Sequence, residues 1–536
     1  MGKPVEKTID RFDGGIESDP RDPRENTCQV VSNFDVITNP RKMTPYRSSE
    51  SGDSSGSTNR IQNFTVALQS GTTYRLFGLG RDGSDNALIF NKTLLTSGSD
   101  NMADATWAQN ANNTSSSGTM QSPRDFRFFV YYRRTGYLYG AINGTAIWRC
   151  DPDGGDAFVN STQALTYTSI FQGLVHSKDN ILYVPYYNNA GGAGAKSFIA
   201  KFDGTTWSTT ALTLPDHLMP VSICQFGNFL AIGCAPVSAV GNSVVYLWDR
   251  DASLTTLHES VDWGSGLLYV LEEVDGELVG ISTTSTRRFV STPSISHRDR
   301  VIFRRLVGTR AVKFKEVIAE HSAVNAQSTL LTYAKQRVDN RLYFAMILEL
   351  NGAVRDGVWS IGRVNPDAPW TLIHERTSNN STALAADDGI EGFFAAGDYL
   401  FITYLASGTY ATSKTDNTAT FSHNAVYESK RFATGDPTLR KTLVGASVMH
   451  EYLPSGASVS LAYRTDQNTS WTTILTSDTA NDISREAVNI ESTGAALPKD
   501  YREIEFRIVA TGGNAEVTGF TFKEDIIGRL NYEPVN

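Results

Sequence analysis

Side chains able to do chemistry are present in this sequence, but their spacing assembles few of them. Six of the eight histidines, His217, His258, His297, His321, His374 and His450, fall in different expected elements, with no i,i+4 pair to face a metal from one helix. They read as surface or satisfied core residues. No HExxH, GxSxG or GxxxxGK[ST] pattern occurs. The four cysteines, Cys28, Cys150, Cys224 and Cys234, form no CxxC pair and read as buried free thiols, although Cys224 and Cys234 flank one expected hairpin and are candidates to face each other. Two carboxylate groupings, Asp249 with Asp251 and Asp387 with Asp388, have the makings of an acid/base or calcium pair. Both sit where turns are expected, and a turn aspartate ordinarily bonds its own backbone. The sequence therefore implies no catalytic residue, no metal ligand and no cofactor, and the chain is expected not to be an enzyme.

One charge cluster stands apart. Arg287, Arg288, Arg298, Arg300, Arg304, Arg305, Arg310, Lys313 and Lys315 are opposed within their own stretch only by Asp299. In a chain of net charge −9 this is a local asymmetry. It has two readings: a surface that meets a DNA backbone or an acidic neighbouring subunit, or a solvated connection paired with acids elsewhere in the fold. Base-stacking aromatics are not interleaved with it, so sequence-specific nucleic-acid binding is not expected.

The elements that would carry these residues are strands. Hydrophobic residues are 40% and charged residues 20%, with 44 Gly, 22 Tyr and 26 Phe. Gly and Asn supply the positive φ of tight turns, and aromatics suit half-buried sheet faces. Seven segments share one form, a Gly/Asp/Asn turn followed by an alternating apolar strand. They begin at Tyr74, Gly136, Asn180, Asn228, Glu277, Asn340 and Asp398. That spacing is roughly 45 to 65 residues, the blade length of propeller repeats. Partner strands Ala146–Arg149, Ser197–Phe202, Val244–Trp248 and Gly357–Ser360 run into polar turns with a Trp nearby. Asp203-Gly204 with Trp207 also resembles the tail of the sialidase Asp-box, with Lys201 where that repeat has Ser. That box is structural and implies no activity.

The expected fold is thus all-β: a β-propeller of about six or seven blades over residues 60–424 rather than two stacked sandwiches. An extended N-terminal arm and linker is expected over 1–59, and an appended or inserted β-sandwich over 425–536. The only stretch with room for a helix is Lys315 to Leu331, which can instead be a blade strand with a loop. In the C-terminal part, Val459, Leu461 and Tyr463 alternate with polar residues, as do Ile504, Phe506 and Ile508. This period of two implies one buried and one wet face. No apolar h-region opens the chain and no run of eighteen apolar residues occurs, so neither secretion nor membrane insertion is expected.

Two stretches carry a family resemblance. The first is Phe12-Asp13-Gly14-Gly15-Ile16, then Asn26, Cys28 through Asp35, and Pro40-Arg41-Lys42-Met43. The second is Leu453-Pro454-Ser455-Gly456, Val459, Tyr463-Arg464-Thr465-Asp466 and Trp471, then Glu503 through Ile508 and Gly519-Phe520. Together they resemble the tail nozzle, tail tubular and tail hub proteins of tailed bacteriophages. The Asp19 to Arg24 run has no counterpart in that pattern. The resemblance implies a structural virion protein in the tail, made in the host cytoplasm. It implies a homo-oligomeric ring, a hexamer or dodecamer, continuing the DNA-exit channel. Its implied partners are a portal or adaptor protein, tail fibres or spikes, and transiently the viral DNA. The competing expectations are a carbohydrate- or receptor-binding propeller and a propeller glycoside hydrolase.

Overall fold

The computed structural model describes residues 4–47, 50–51, 60–93, 108–109, 128–237, 241–251, 259–284, 300–318, 329–377, 389–415, 421 and 424–527, apart from short gaps inside those ranges. Strands and turns make up these residues, and no helix occurs among them. The chain divides into two compact units. One holds Met1–Ser48, Ser360–Arg376 and Ala419–Asn536; the other holds Ser49–Trp359 and Thr377–Thr418.

The larger unit is a seven-bladed propeller among the described residues. Its inner strands are Arg60–Ser70, Phe129–Tyr132, Leu174–His176, Leu218–Phe226, Leu267–Val274, Thr329–Val338 and Gly389–Ala396. Each opens an antiparallel meander. All seven repeat segments of the sequence lie on the second strand of a blade or on the turn leading into it, and the four partner segments fall on third strands. The reason is local. Gly136, Asn180, Gly227, Asp275, Gly276 and Asp339 take positive φ between first and second strands; the last four lie in two-residue hairpins, whose geometry demands it, while Gly136 and Asn180 end four-residue connections. The tryptophans fill the wedges: Trp148 packs with Ala67, Phe77 and Ile89 of the preceding blade, and Trp248 meets Tyr183 edge-on at 5.8 Å. Gly280 is needed for a similar reason, because a Cβ there would lie 2.6 Å from the Trp263 indole.

A propeller must close, and here two devices do it. The last blade takes its outermost strand, Glu50–Ser51, from the segment before the first blade, with Ser413 opposite Ser51. A belt of inter-blade bonds also runs around the unit. Tyr131 N donates to Thr65 Oγ1 (3.3 Å) and Tyr132 Oη to the Asn180 carbonyl (2.6 Å). Ile223 N donates to Gln172 Oε1 (2.8 Å) and Leu271 N to Ser222 Oγ (3.0 Å). Lys335 meets Glu272 at 2.9 Å, and Ala395 N donates to Gln336 Oε1 (2.8 Å). Arg60 Nε donates to Glu391 (2.7 Å), joining the last blade to the first.

The smaller unit is a sandwich of two sheets. One runs Val5–Ile9, Val517–Ile527, Arg440–His450, Arg485–Asn489 in spatial order, with Lys499–Tyr501 beside Arg440–His450. In the other, Thr27–Ser32, Ala425–Ser429, Ile504–Thr511, Ser458–Thr465 and Thr472–Asp478 follow one another. Phe506 of one sheet meets Phe520 and Phe522 of the other at 5.5 and 4.8 Å.

Several expectations need correction. Among the described residues, 4–47 are not an extended arm, and of the expected linker only 50–51 are described, 52–59 lying outside the described residues. Val5–Ile9 is a sheet strand paired with Val517–Ile527, Thr27–Ser32 pairs with Ala425–Ser429, and Glu50–Ser51 completes a blade. The boundaries at 59 and 424 therefore give way to interleaved segments, 360–376 among them. Strand pairing joins residues far apart in sequence, which a linear reading cannot show. Of the two readings of Lys315 to Leu331, a helix or a blade strand with a loop, the Lys315 end takes the second as part of the strand Arg310–Ile318, and Thr329 begins another strand; 319–328 lie outside the described residues. Cys224 and Cys234 do not face each other, since Cys224 lies opposite Ala231 and Cys234 opposite Pro220. All four thiols are free and buried.

Candidate functional site

The residues of the two resemblance stretches, some 400 positions apart, converge in the sandwich unit, and many have a mechanical task there. Asp13 accepts bonds from Arg11 and from Asn26, both at 2.5 Å. A Cβ on Gly14 would lie 2.6 Å from the Asn26 carbonyl oxygen. Gly15 has φ +59, and a Cβ there would lie 2.8 Å from Leu372 N. Ile16 then runs parallel beside Cys28. Asn33 takes positive φ and its side-chain amide donates to the Asn424 carbonyl (3.0 Å). Phe12 N donates to the Pro40 carbonyl (2.8 Å), and Met43 exchanges two backbone bonds with Val517. The double glycine is thus demanded by a crowded backbone. Gly15→Ala is expected to cost about 2 kcal/mol or more, from the positive φ and the overlap together; an unfolding free energy from urea titration within about 0.5 kcal/mol of wild type would contradict it.

The C-terminal stretch forms an ion-pair wall. A bulge between Leu461 and Ala462 turns the alternation over, so Arg464 is buried while Tyr463 is half-buried. Arg464 Nε donates to Glu505 Oε2 (2.6 Å), and Arg431 Nε donates to Glu505 Oε1 (2.5 Å). Arg464 and Arg507 flank the Trp471 ring at 4.5 and 5.8 Å, and Arg507 meets Glu428 at 3.4 Å. Asp466, at positive φ, accepts the backbone N–H of Arg502 and Glu503. The period of two holds over Arg507 to Thr511, where outward residues are part-exposed, and fails only at Glu505. Glu505 is 2% exposed because two arginines cover it.

Beside this wall lies a groove of about 1270 Å³. Val5–Thr8 line it, as do Lys430–Gly435, Arg21, Arg440, Asp466, Asp500, Arg502 and Glu503. Arg21 pairs with Glu503 (2.8 Å) and Arg440 with Asp500 (2.5 Å). The Lys7 ammonium sits 5.1 Å from the Phe432 ring centroid. Sequence reasoning recognised the residues on either side but not the cavity, because its walls come from both ends of the chain.

The basic cluster is dispersed by comparison. Arg287, Arg288 and Arg298 lie outside the described residues. The others sit on the third and fourth strands of the fifth blade, Arg300–Val307 and Arg310–Ile318. Arg300 and Lys313 both bind Glu316 (3.0 and 2.6 Å), and Arg305 binds Glu277 (2.9 Å). Arg304 donates to Ser282 Oγ (2.7 Å); burial holds its pKa below the usual guanidinium value, against the pull of Asp262 and Glu316. Lys315 is buried, and Arg310 is exposed beside the hairpin tip. Strand alternation thus sends these side chains to both faces of the blade, with local acids opposite three of them.

The tempting catalytic groups are structural where they are described. Asp251 N donates to Asp249 Oδ1 (3.0 Å). Asp203 accepts the N–H of Thr206 and Thr205, which lowers its pKa. Asp387 and Asp388 lie outside the described residues. His374 bonds Ser32 Oγ (2.7 Å), and His450 bonds Ser477 Oγ (2.9 Å). No cluster of three His, Cys, Asp or Glu suited to a metal occurs among the described residues.

His176 is the exception that titrates usefully. It is fully buried between Asp179 (3.5 Å) and Arg250 (3.0 Å). Burial, with help from Arg250 and Lys178 and against Asp179, lowers its pKa. The folded ring is therefore neutral, while the unfolded chain takes up a proton below about pH 6.5. Propeller stability should fall as pH drops through that value, and His176→Asn should flatten the decline. An unchanged pH profile of the urea midpoint in the variant would contradict this.

Two comparisons find no counterpart: no protein-family model and no curated protein matches the chain. Among solved structures the chain is similar to the WD40 domain of Neurospora crassa Pan2. The TM-score is 0.39 at 6% identity, over 67% of this chain and 89% of that one.

Proposed function

We propose that this protein is a structural subunit of a tailed-bacteriophage tail, a nozzle or hub component that forms a ring on the DNA-exit path. The observation that supports this best is the convergence of the two resemblance stretches. Phe12–Met43 and Leu453–Phe520 belong to one sandwich unit, and their shared residues hold its turns, pairings and ion pairs rather than a pocket chemistry. Motif residues spent on architecture suit a protein whose work is to keep a shape. The propeller adds to this: it is closed by strand exchange and by a belt of inter-blade bonds, and such a scaffold resists deformation.

In this reading the protein is not an enzyme and needs no cofactor. It assembles with copies of itself through heterologous contacts that close into a ring. It meets portal or adaptor proteins on one side and fibres or spikes on the other, and touches DNA only in transit. The overall acidity suits a channel that must release DNA rather than hold it.

Electron microscopy of the native particle tests the proposal. The expected result is density for this two-unit fold repeated about the tail axis. Particles whose tail density excludes the fold would overturn it. Glycan binding by the purified chain would then favour the receptor-binding alternative.

A further inference from the structure

We infer that the groove of the sandwich unit receives an extended acidic strand from a second copy of this chain. The inference rests on the ring reading for its setting and on the groove itself for its chemistry. At about 1270 Å³ the groove exceeds the roughly 300–1,000 Å³ of an ordinary small-molecule pocket. One wall, Val5–Thr8, belongs to the terminal strand of its sheet, which hydrogen-bonds to Val517–Ile527 on one side. A terminal strand is the template on which an incoming strand adds. Val5, 38% exposed, adds an apolar surface to the groove lining.

Charge selects what enters. Lys7, Arg21, Lys430, Arg431, Arg440 and Arg502 line the groove against Glu6, Asp466, Asp500 and Glu503. Those four carboxylates are already engaged. Glu6 meets Lys523 and Glu503 meets Arg21, Asp500 meets Arg440, and Asp466 accepts two backbone N–H groups. The exposed Arg502 guanidinium has no acidic partner among the described residues. Arg21, Arg440 and Arg431 are paired as well, with Glu503, Asp500 and Glu505, but six cationic against four anionic lining side chains leave the groove formally net cationic in a chain of net charge −9, so the rest of a second copy is its electrostatic complement. A phosphodiester backbone fits less well, because the lining acids would repel an unbroken row of phosphates while a mixed polypeptide strand can avoid them. The contact joins a groove on one copy to a different surface on the next, which makes it heterologous.

The test uses the full-length protein and mass photometry across concentration and salt. The wild type is expected to self-associate at low salt and to dissociate as salt screens the contact. Arg440→Glu with Arg502→Glu should weaken association by about tenfold or more. Arg502→Ala alone, which breaks no internal pair, gives the same readout should the double variant fold poorly. Arg310→Glu, on the fifth blade, should change nothing. A wild type that stays monomeric, or association indifferent to both groove variants, overturns the inference. So does tight binding of a fluorescent oligothymidylate that the Arg502 variant abolishes, since that would assign the groove to nucleic acid. The two proposals fail separately. A ring in native particles built from groove variants would leave the ring reading standing and remove this one. Salt-sensitive, Arg502-dependent association of a protein absent from any tail would do the reverse.

Discussion

Glu505→Ala should lower the stability of the sandwich unit by about 3–5 kcal/mol, the range for breaking a buried ion pair on one side. Glu505 is 2% exposed and is held by Arg431 and Arg464 at once. Removing it strands Arg464, itself 7% exposed, beneath Trp471. The loss should appear as a lower urea midpoint of the transition that reports this unit. A paired change, Arg464→Met with Glu505→Leu, removes both buried charges and should recover much of that loss. If the single variant moves the midpoint no more than the exposed pair variant Asp500→Ala, whose pair is worth at most about 1 kcal/mol, the wall is not what holds the strands together.

In the propeller, Glu391→Ala should be as damaging, again about 3–5 kcal/mol, and for a reason of topology. Glu391 binds Arg60 and Gln62 across the junction of the last and first blades, and Arg60 is 5% exposed. The variant leaves that guanidinium buried beside Tyr410 without its carboxylate. Because this junction closes the ring of blades, hydrogen exchange should accelerate first in Arg60–Ser70 and Gly389–Ala396. Arg60→Met with Glu391→Leu is expected to restore most of the stability. Uniform acceleration over all seven inner strands would instead mean that the ring opens as one body.

The propeller was legible because its signal is local. A turn followed by an alternating strand recurs at each blade, four blades add a third strand ending near a Trp, and every part of that unit lies within one blade's length of sequence. The seven repeat segments therefore mark the second strand of every blade. Turn aspartates such as Asp203 and Asp249 were readable for the same reason, since their partners are two or three residues away.

The closing strand was not legible. Glu50–Ser51 sits in a polar stretch with no periodicity, and only its partner, Ser413 on the last blade, makes it a strand. The same holds for Val5–Ile9, which draws its place from Val517–Ile527. Polar alternation in Glu503–Ile508 suggested a wet face because composition cannot tell a solvated glutamate from one covered by Arg431 and Arg464. The basic run from Arg300 to Lys315 looked like one patch because sequence proximity hides the alternation that sends neighbours to opposite faces.

By itself the sequence determined the all-β class, the blade repeat, the turns and the motif residues at both ends. These depend on backbone preference and on side chains within a few positions of each other. Tertiary structure decided the interleaved division into two units, ring closure, the burial of Glu505 and the groove, because each requires residues hundreds of positions apart to meet. Side chains that pair over such distances leave no periodic trace in either partner's own neighbourhood.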